Sequence, residues 1–106
     1  MLNKMNMNTK FNELINQKQL VLVDFYADWC GPCKTMSPIL QETKTVVKDD
    51  VKIIKINVDQ YQDLASEFMV RGVPTLMLFK EGKMLWRQSG VLSKNQLVEI
   101  INQHKN

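Results

Sequence analysis

Two near-continuous apolar runs, QLVLVDFYA at 19–27 and VKIIKINV at 51–58, constrain this chain more than any other feature. Each has strand length and little polar alternation, the pattern of a strand buried on both faces. Between them, from residue 31 to 48, the apolar positions take helical spacing: Met36, Ile39, Leu40, Thr43, Val46 and Val47. A strand, a helix and a second buried strand form a β-α-β unit, whose strands run parallel through a right-handed crossover. Pro38 falls inside the helical stretch, where it deletes the hydrogen bond to the carbonyl of Lys34 and predicts a kink.

The flanking segments extend this unit. KMNM at 4–7 alternates weakly and reads as a short edge strand, which the methionines of the start (Met1, Met5, Met7) would pack rather than serve as a metal-binding tract. NTKFNELINQ reads as a short helix with Asn8 or Thr9 as N-cap and Phe11, Leu14 and Ile15 on one face. Asp59 is expected to cap a helix over 59–70 that carries Tyr61, Leu64, Ala65 and Phe68 inward. TLMLF and KMLWRQSG flank Lys80-Glu81-Gly82-Lys83, a hairpin turn signal. Ser93 with Gln96 forms a capping box before a closing helix with Leu97, Ile100 and Ile101. The expected class is α/β: one domain over 1–106, with a mixed sheet of about five strands and helices on both faces.

Charge and composition narrow the function classes. A net charge of +3 with scattered lysines and no arginine cluster gives no nucleic-acid footprint. No run approaches the length of a membrane span. The start, MLNKMNMNTKF, has no apolar h-region, so the expected compartment is the reducing cytoplasm, where permanent disulfides are rare.

That makes Cys30 and Cys33, the only cysteines, informative. A zinc site needs four ligands, and the only other candidate of cysteine or histidine type is His104 in the polar tail. A disulfide closing so short a loop contributes about 2 kcal/mol by chain entropy, a weak staple. A pair of inert core thiols is the plain alternative. A redox pair fits better, because the motif lies where a buried strand gives way to a helix. Residues three apart share a helix face, and unpaired N–H groups at the helix start favour a thiolate. Pro32 suits the first helical position. The remaining donors near the Cys30 sulfur are then the amides of Cys33 and Lys34. Cys30, at the exposed tip, reads as the attacking thiolate and Cys33, one turn in, as the shielded resolving thiol.

The run VLVDFYADWCGPCK, with PIL at 38–40, KINVDQ at 55–60, RGVPTLMLFK at 71–80 and Gly90, resembles the thioredoxin family over nearly the whole chain. The resemblance implies a thioredoxin fold and a general protein-disulfide reductase. Cys30 attacks a substrate disulfide, Cys33 resolves the mixed disulfide, and the oxidised protein carries a Cys30–Cys33 disulfide. It implies no bound cofactor, with electrons from NADPH through a separate flavoprotein thioredoxin reductase. Implied substrates are ribonucleotide reductase, peroxiredoxin and methionine sulfoxide reductase, met by a monomer without nucleic acid or membrane.

Further residues follow from the motif. Asp24 interrupts a buried strand, where burial raises a carboxyl's pKa; it can take a proton from Cys33, the role the family assigns to the matching residue. Its plain alternative is a strand-end Asp reaching water. Lys55 interrupts the second strand and either snorkels to the surface or, as the resemblance implies, lies near Asp24. Gly31 and Pro32 tune the redox balance. The resemblance makes the Val73–Pro74 peptide cis. It also implies a shallow contact surface from Trp29, Gly31, Pro32, Gly72, Val73, Pro74, Gly90 and Val91. Tyr26 departs from the tryptophan many relatives carry, and Trp86 is a less usual strand aromatic. A dedicated reductant for one partner is one rival. Another is a scaffold subunit, as thioredoxin is for a phage DNA polymerase; it would need neither the cysteine pair nor Asp24.

Overall fold

The computed structural model describes residues 4–106; Met1 and its expected packing lie outside them. The elements run α1 (Lys4–Ile15), β1 (Leu20–Tyr26), α2 (Gly31–Val47), a 3-10 turn (Lys48–Asp50), β2 (Val51–Asn57), α3 (Gln62–Glu67), β3 (Thr75–Lys80), β4 (Lys83–Ser89) and α4 (Lys94–His104). The strands form one sheet in the order β2-β1-β3-β4. β1 pairs parallel with β2 and antiparallel with β3, and β3 pairs antiparallel with β4. The β-α-β unit and the hairpin are therefore both present, in a mixed sheet.

Among the described residues the sheet has four strands rather than about five. The segment expected as an edge strand, 4–7, is the first turn of α1, so Asn8 and Thr9 lie inside that helix and do not cap it. Four residues of alternation are a weak strand signal, and Lys and Met, good helix formers, let the helix extend upstream.

Period-two alternation along β1 divides the core. Leu20 and Leu22 join Leu76 and Leu78 of β3 under α2 and α4, with Met36, Leu40, Leu97 and Ile101. Val21, Val23 and Phe25 point the other way, to α1 and α3. There Phe11, Phe25, Phe68 and Phe79 form an aromatic cluster, with Phe11 and Phe79 edge-to-face at 6.0 Å. Asp24 shares the parity of Leu20 and Leu22, so it faces the layer that holds α2.

Local chemistry accounts for most boundaries. Glu81 and Gly82 have φ of 52° and 81°, which a two-residue loop of the primed type requires. Their amides donate to the carbonyls of Gln17 and Ile15, tying the hairpin to the α1–β1 link. The Ser93–Gln96 capping box is formed in both directions. α2 continues through Pro38. Trp86 is half-buried against the α2–α4 side of the core. Asp59 does not cap α3. The Asn57 side chain takes the amides of Asp59 and Gln60, and α3 starts later, after Tyr61. An Asn ending a strand can close a turn on its own side-chain oxygen, and that local bond pre-empts the expected cap.

Candidate active site

β1 ends at Tyr26, and the chain turns through 27–30 into α2, so the cysteine pair sits where the strand meets the helix. Cys30 is the N-cap of α2, with extended backbone, and the amide of Cys33 donates to its Sγ at 3.1 Å. The amide of Lys34 donates to the Cys30 carbonyl at 3.4 Å and not to its sulfur. One donor, not two, therefore faces the sulfur. Pro32 occupies the second helical position, after Gly31, where its missing N–H still costs no intrahelical bond. The sulfurs are joined as a Cys30–Cys33 disulfide with Cα atoms 5.3 Å apart.

Exposure does not separate the two cysteines as expected. Cys30 is 4 % exposed and Cys33 5 %, both packed with Ala27 against Tyr26, Val58 and Val73. What separates them is hydrogen bonding. Among the described residues only Cys30 Sγ receives a backbone amide, at the positive end of a 17-residue helix. An amide donor at a helix start favours negative charge on the sulfur it faces.

Asp24 is completely buried, and neither carboxyl oxygen has a hydrogen-bond partner among the described residues. It does not reach water at a strand end. Burial pushes its pKa from 3.8 up to about 6, against the opposing pull of the Lys55 charge. Lys55 is its register partner in β2 and is itself exposed. Its ammonium lies 4.7 Å from the centroid of the Tyr26 ring and donates to Ser37 Oγ at 3.4 Å. Lys55 thus reaches the surface from a position beside Asp24 in the register, where its charge opposes the rise that burial causes.

Across the site, the Val73–Pro74 peptide is cis, and the Val73 carbonyl oxygen lies 3.6 Å from Cys30 Sγ. The Thr75 hydroxyl bonds the Gly72 carbonyl at 2.6 Å and Ser89 Oγ at 2.9 Å, and the Gly90 amide donates to the Pro74 carbonyl. These bonds lock the 72–75 turn to the end of β4. Among the described residues no three His, Cys, Asp or Glu side chains gather as a metal cluster.

A strand-to-helix cysteine pair, a buried carboxyl on the same sheet face and a cis-proline turn against the sulfur form one arrangement. The family model named Thioredoxin matches residues 3–103. The chain belongs to the thioredoxin family. It is 45 % identical over 91 residues to the thioredoxin of Haemophilus influenzae, covering 86 % of this chain and 85 % of that relative. It is 47 % identical over 92 residues to the chloroplastic thioredoxin Y2 of Arabidopsis thaliana, matching 86 % of this chain but spanning only 55 % of that relative. A solved thioredoxin of Nicotiana alata superposes with a TM-score of 0.84 at 36 % identity, covering 98 % of this chain and 89 % of that one. Family membership and the Cys30–Cys33 pair make the chain a thiol–disulfide oxidoreductase.

Around the thioredoxin-type disulfide, Trp29 is 71 % exposed and Val91 44 %. A Cβ at Gly31, Gly72 or Gly90 would meet nothing within 4 Å, and Gly90 has φ +98°, so its left-handed backbone favours glycine. Several contributors escaped the sequence. Asp59 accepts the Trp29 indole N–H at 2.8 Å and so orients that ring. Thr75 and Ser89 hold the proline turn, and Ser37 and Tyr26 hold Lys55. Only Thr75, directly after Pro74, carried a signal, since a hydroxyl beside a turn commonly bonds backbone. The other contacts join residues far apart in the chain.

Proposed function

We propose that the chain is a general protein-disulfide reductase in which Cys30 attacks and Cys33 resolves. The Cys30 thiolate attacks one sulfur of a substrate disulfide, forming a mixed disulfide and releasing one substrate thiolate. Cys33 then loses its proton to Asp24, directly or through water, and its sulfur attacks Cys30 Sγ. The Cys30–substrate bond breaks, the second substrate thiolate leaves, and the Cys30–Cys33 disulfide forms. Two electrons have passed to the substrate. The bond from the Cys33 amide to Cys30 Sγ carries this assignment, because it gives one sulfur alone the stabilised charge.

The wider roles belong to the same reading. Asp24 supports it by being buried without a hydrogen-bond partner among the described residues and by a pKa that burial lifts to about 6, suited to a proton acceptor. Lys55 modulates Asp24 through its charge. Gly31 and Pro32 tune the redox balance. Trp29, Gly72, Val73, Pro74, Gly90 and Val91 receive an extended substrate segment; the open space over the glycines supports a close backbone approach. Electrons come from NADPH through a flavoprotein thioredoxin reductase. Ribonucleotide reductase, peroxiredoxin and methionine sulfoxide reductase are the expected recipients, in the cytoplasm.

Insulin reduction with dithiothreitol tests the reading. The chain accelerates precipitation of the insulin B chain, and Cys30→Ser abolishes the acceleration. No acceleration by the unaltered chain would refute the reductase assignment and favour a scaffold role.

A further inference from the structure

Lys55 is exposed, yet its ammonium is held at two points. A lysine on a strand next to solvent has a flexible four-carbon stem and a strongly hydrated head, so its charge ordinarily has no fixed place. Here the head sits 4.7 Å from the centroid of the Tyr26 ring, within the range of a cation–π contact. It also donates to the Ser37 hydroxyl at 3.4 Å. Tyr26 lies two residues beyond Asp24 on β1, on the same side of the strand, and Ser37 lies one helical turn beyond Cys33 on α2. The two contacts therefore come from the strand that carries the buried carboxyl and the helix that carries the cysteines. Lys55 itself is the register partner of Asp24.

We propose that Tyr26 and Ser37 are positioning residues that hold the Lys55 ammonium over the sheet face carrying Asp24, and so govern proton acceptance by Asp24 during resolution. The proposal rests on Asp24 being the acceptor. It gives a task to Tyr26, the departure from the family's tryptophan, and to a serine that no motif singles out. Coulomb attraction falls with distance, so a tethered ammonium lowers the carboxyl's proton affinity more than one swinging in water. Few other charged groups compete. β3 places the neutral Leu76 opposite Asp24, and the two cysteines, joined as a disulfide in the oxidised chain, carry no charge. Lys44 and Lys52 line the same groove as Lys55, and Lys44 is engaged by the carbonyls of Lys48 and Val51.

The test follows the Asp24 carboxyl directly, by its carbon chemical shift against pH in the oxidised full chain, alongside the pH profile of disulfide reduction. Ser37→Ala and Tyr26→Leu each release the ammonium. Moving a unit charge outward by about 3 Å at an effective dielectric constant of about 20 raises the Asp24 midpoint by roughly half a pH unit. Ser37→Thr, which keeps the hydroxyl, and Tyr26→Phe, which keeps the ring, restore the original midpoint. Lys55→Met gives a larger rise, and adding Ser37→Ala to it adds nothing, because the two act through one charge. A midpoint unmoved by Ser37→Ala and by a folded Tyr26→Leu overturns the proposal. So does a Ser37→Ala effect that persists without Lys55. Midpoints that move while the pH profile of reduction stays still overturn the acceptor role of Asp24 instead, and with it the link to resolution.

Discussion

Replacing Asp24 by Asn tests the chemistry of the site through the stability of the fold. The side chain is completely buried, neither oxygen is hydrogen-bonded among the described residues, and burial lifts its pKa from 3.8 to about 6 despite Lys55. A folded carboxyl that holds its proton more tightly than the unfolded one loses stability on ionising. Stability is therefore highest below the unfolded value and falls as pH rises from 3.8 to about 6, after which the loss is complete. The size of that loss follows from the pKa difference and is about 3 kcal/mol. Asn has nearly the same shape and no charge, so the variant lacks this fall. Urea unfolding of the oxidised proteins between pH 3 and pH 8, with equal m-values, should show the variant gaining on the parent by about 3 kcal/mol across the range, half of it near pH 5. A stability difference that stays constant with pH would refute the reasoning, because it would mean that Asp24 holds its proton no more tightly in the folded protein than in the unfolded chain. The same substitution should slow resolution, since a positioned base typically contributes about 10²-fold or more. Unchanged stopped-flow turnover would remove Asp24 from the mechanism.

Three further outcomes are expected. Cys33→Ser should accumulate mixed disulfides with partner proteins through Cys30, visible as reducible bands on non-reducing gels, and the Cys30→Ser variant should show none. Met69 has φ 55° and is 63 % exposed, so Met69→Gly removes a left-handed strain at little packing cost. After glycine's extra unfolded-state entropy, the urea midpoint should rise by the equivalent of roughly 0.5 kcal/mol. Ser93→Ala removes one half of the capping box on α4 and should lower stability by about 1 kcal/mol, while the rate of insulin reduction stays unchanged.

The parts legible in the chain are those with a local cause. Continuous apolar runs mark β1 and β2, 3.6-residue spacing marks α2, Glu81-Gly82 closes the hairpin, and Ser93 with Gln96 starts α4. Each is settled within a few residues, by side-chain periodicity, turn conformation or a cap. The cysteine pair also announced itself, because two sulfurs at the start of a helix after a buried strand have few other uses. Where local signals were weak or duplicated, the outcome changed. Residues 4–7 joined a helix instead of an edge strand, and Asn57 closed the turn in which Asp59 had looked the better cap.

What the chain order could not contain is the set of contacts made across it. Asp24 has no bonding partner among the described residues because α2 and three strands close around it, and its raised pKa follows from that enclosure. Cys30 and Cys33 are both buried in a small cluster with Ala27, against which Val58 and Val73, distant in the chain, also pack. Lys55 influences Asp24 because the parallel register sets them side by side, with Tyr26 and Ser37 holding the ammonium. The reacting groups could be named from local pattern. Their protonation, shielding and mutual distances are electrostatic and steric quantities, and these come into being only when distant segments meet.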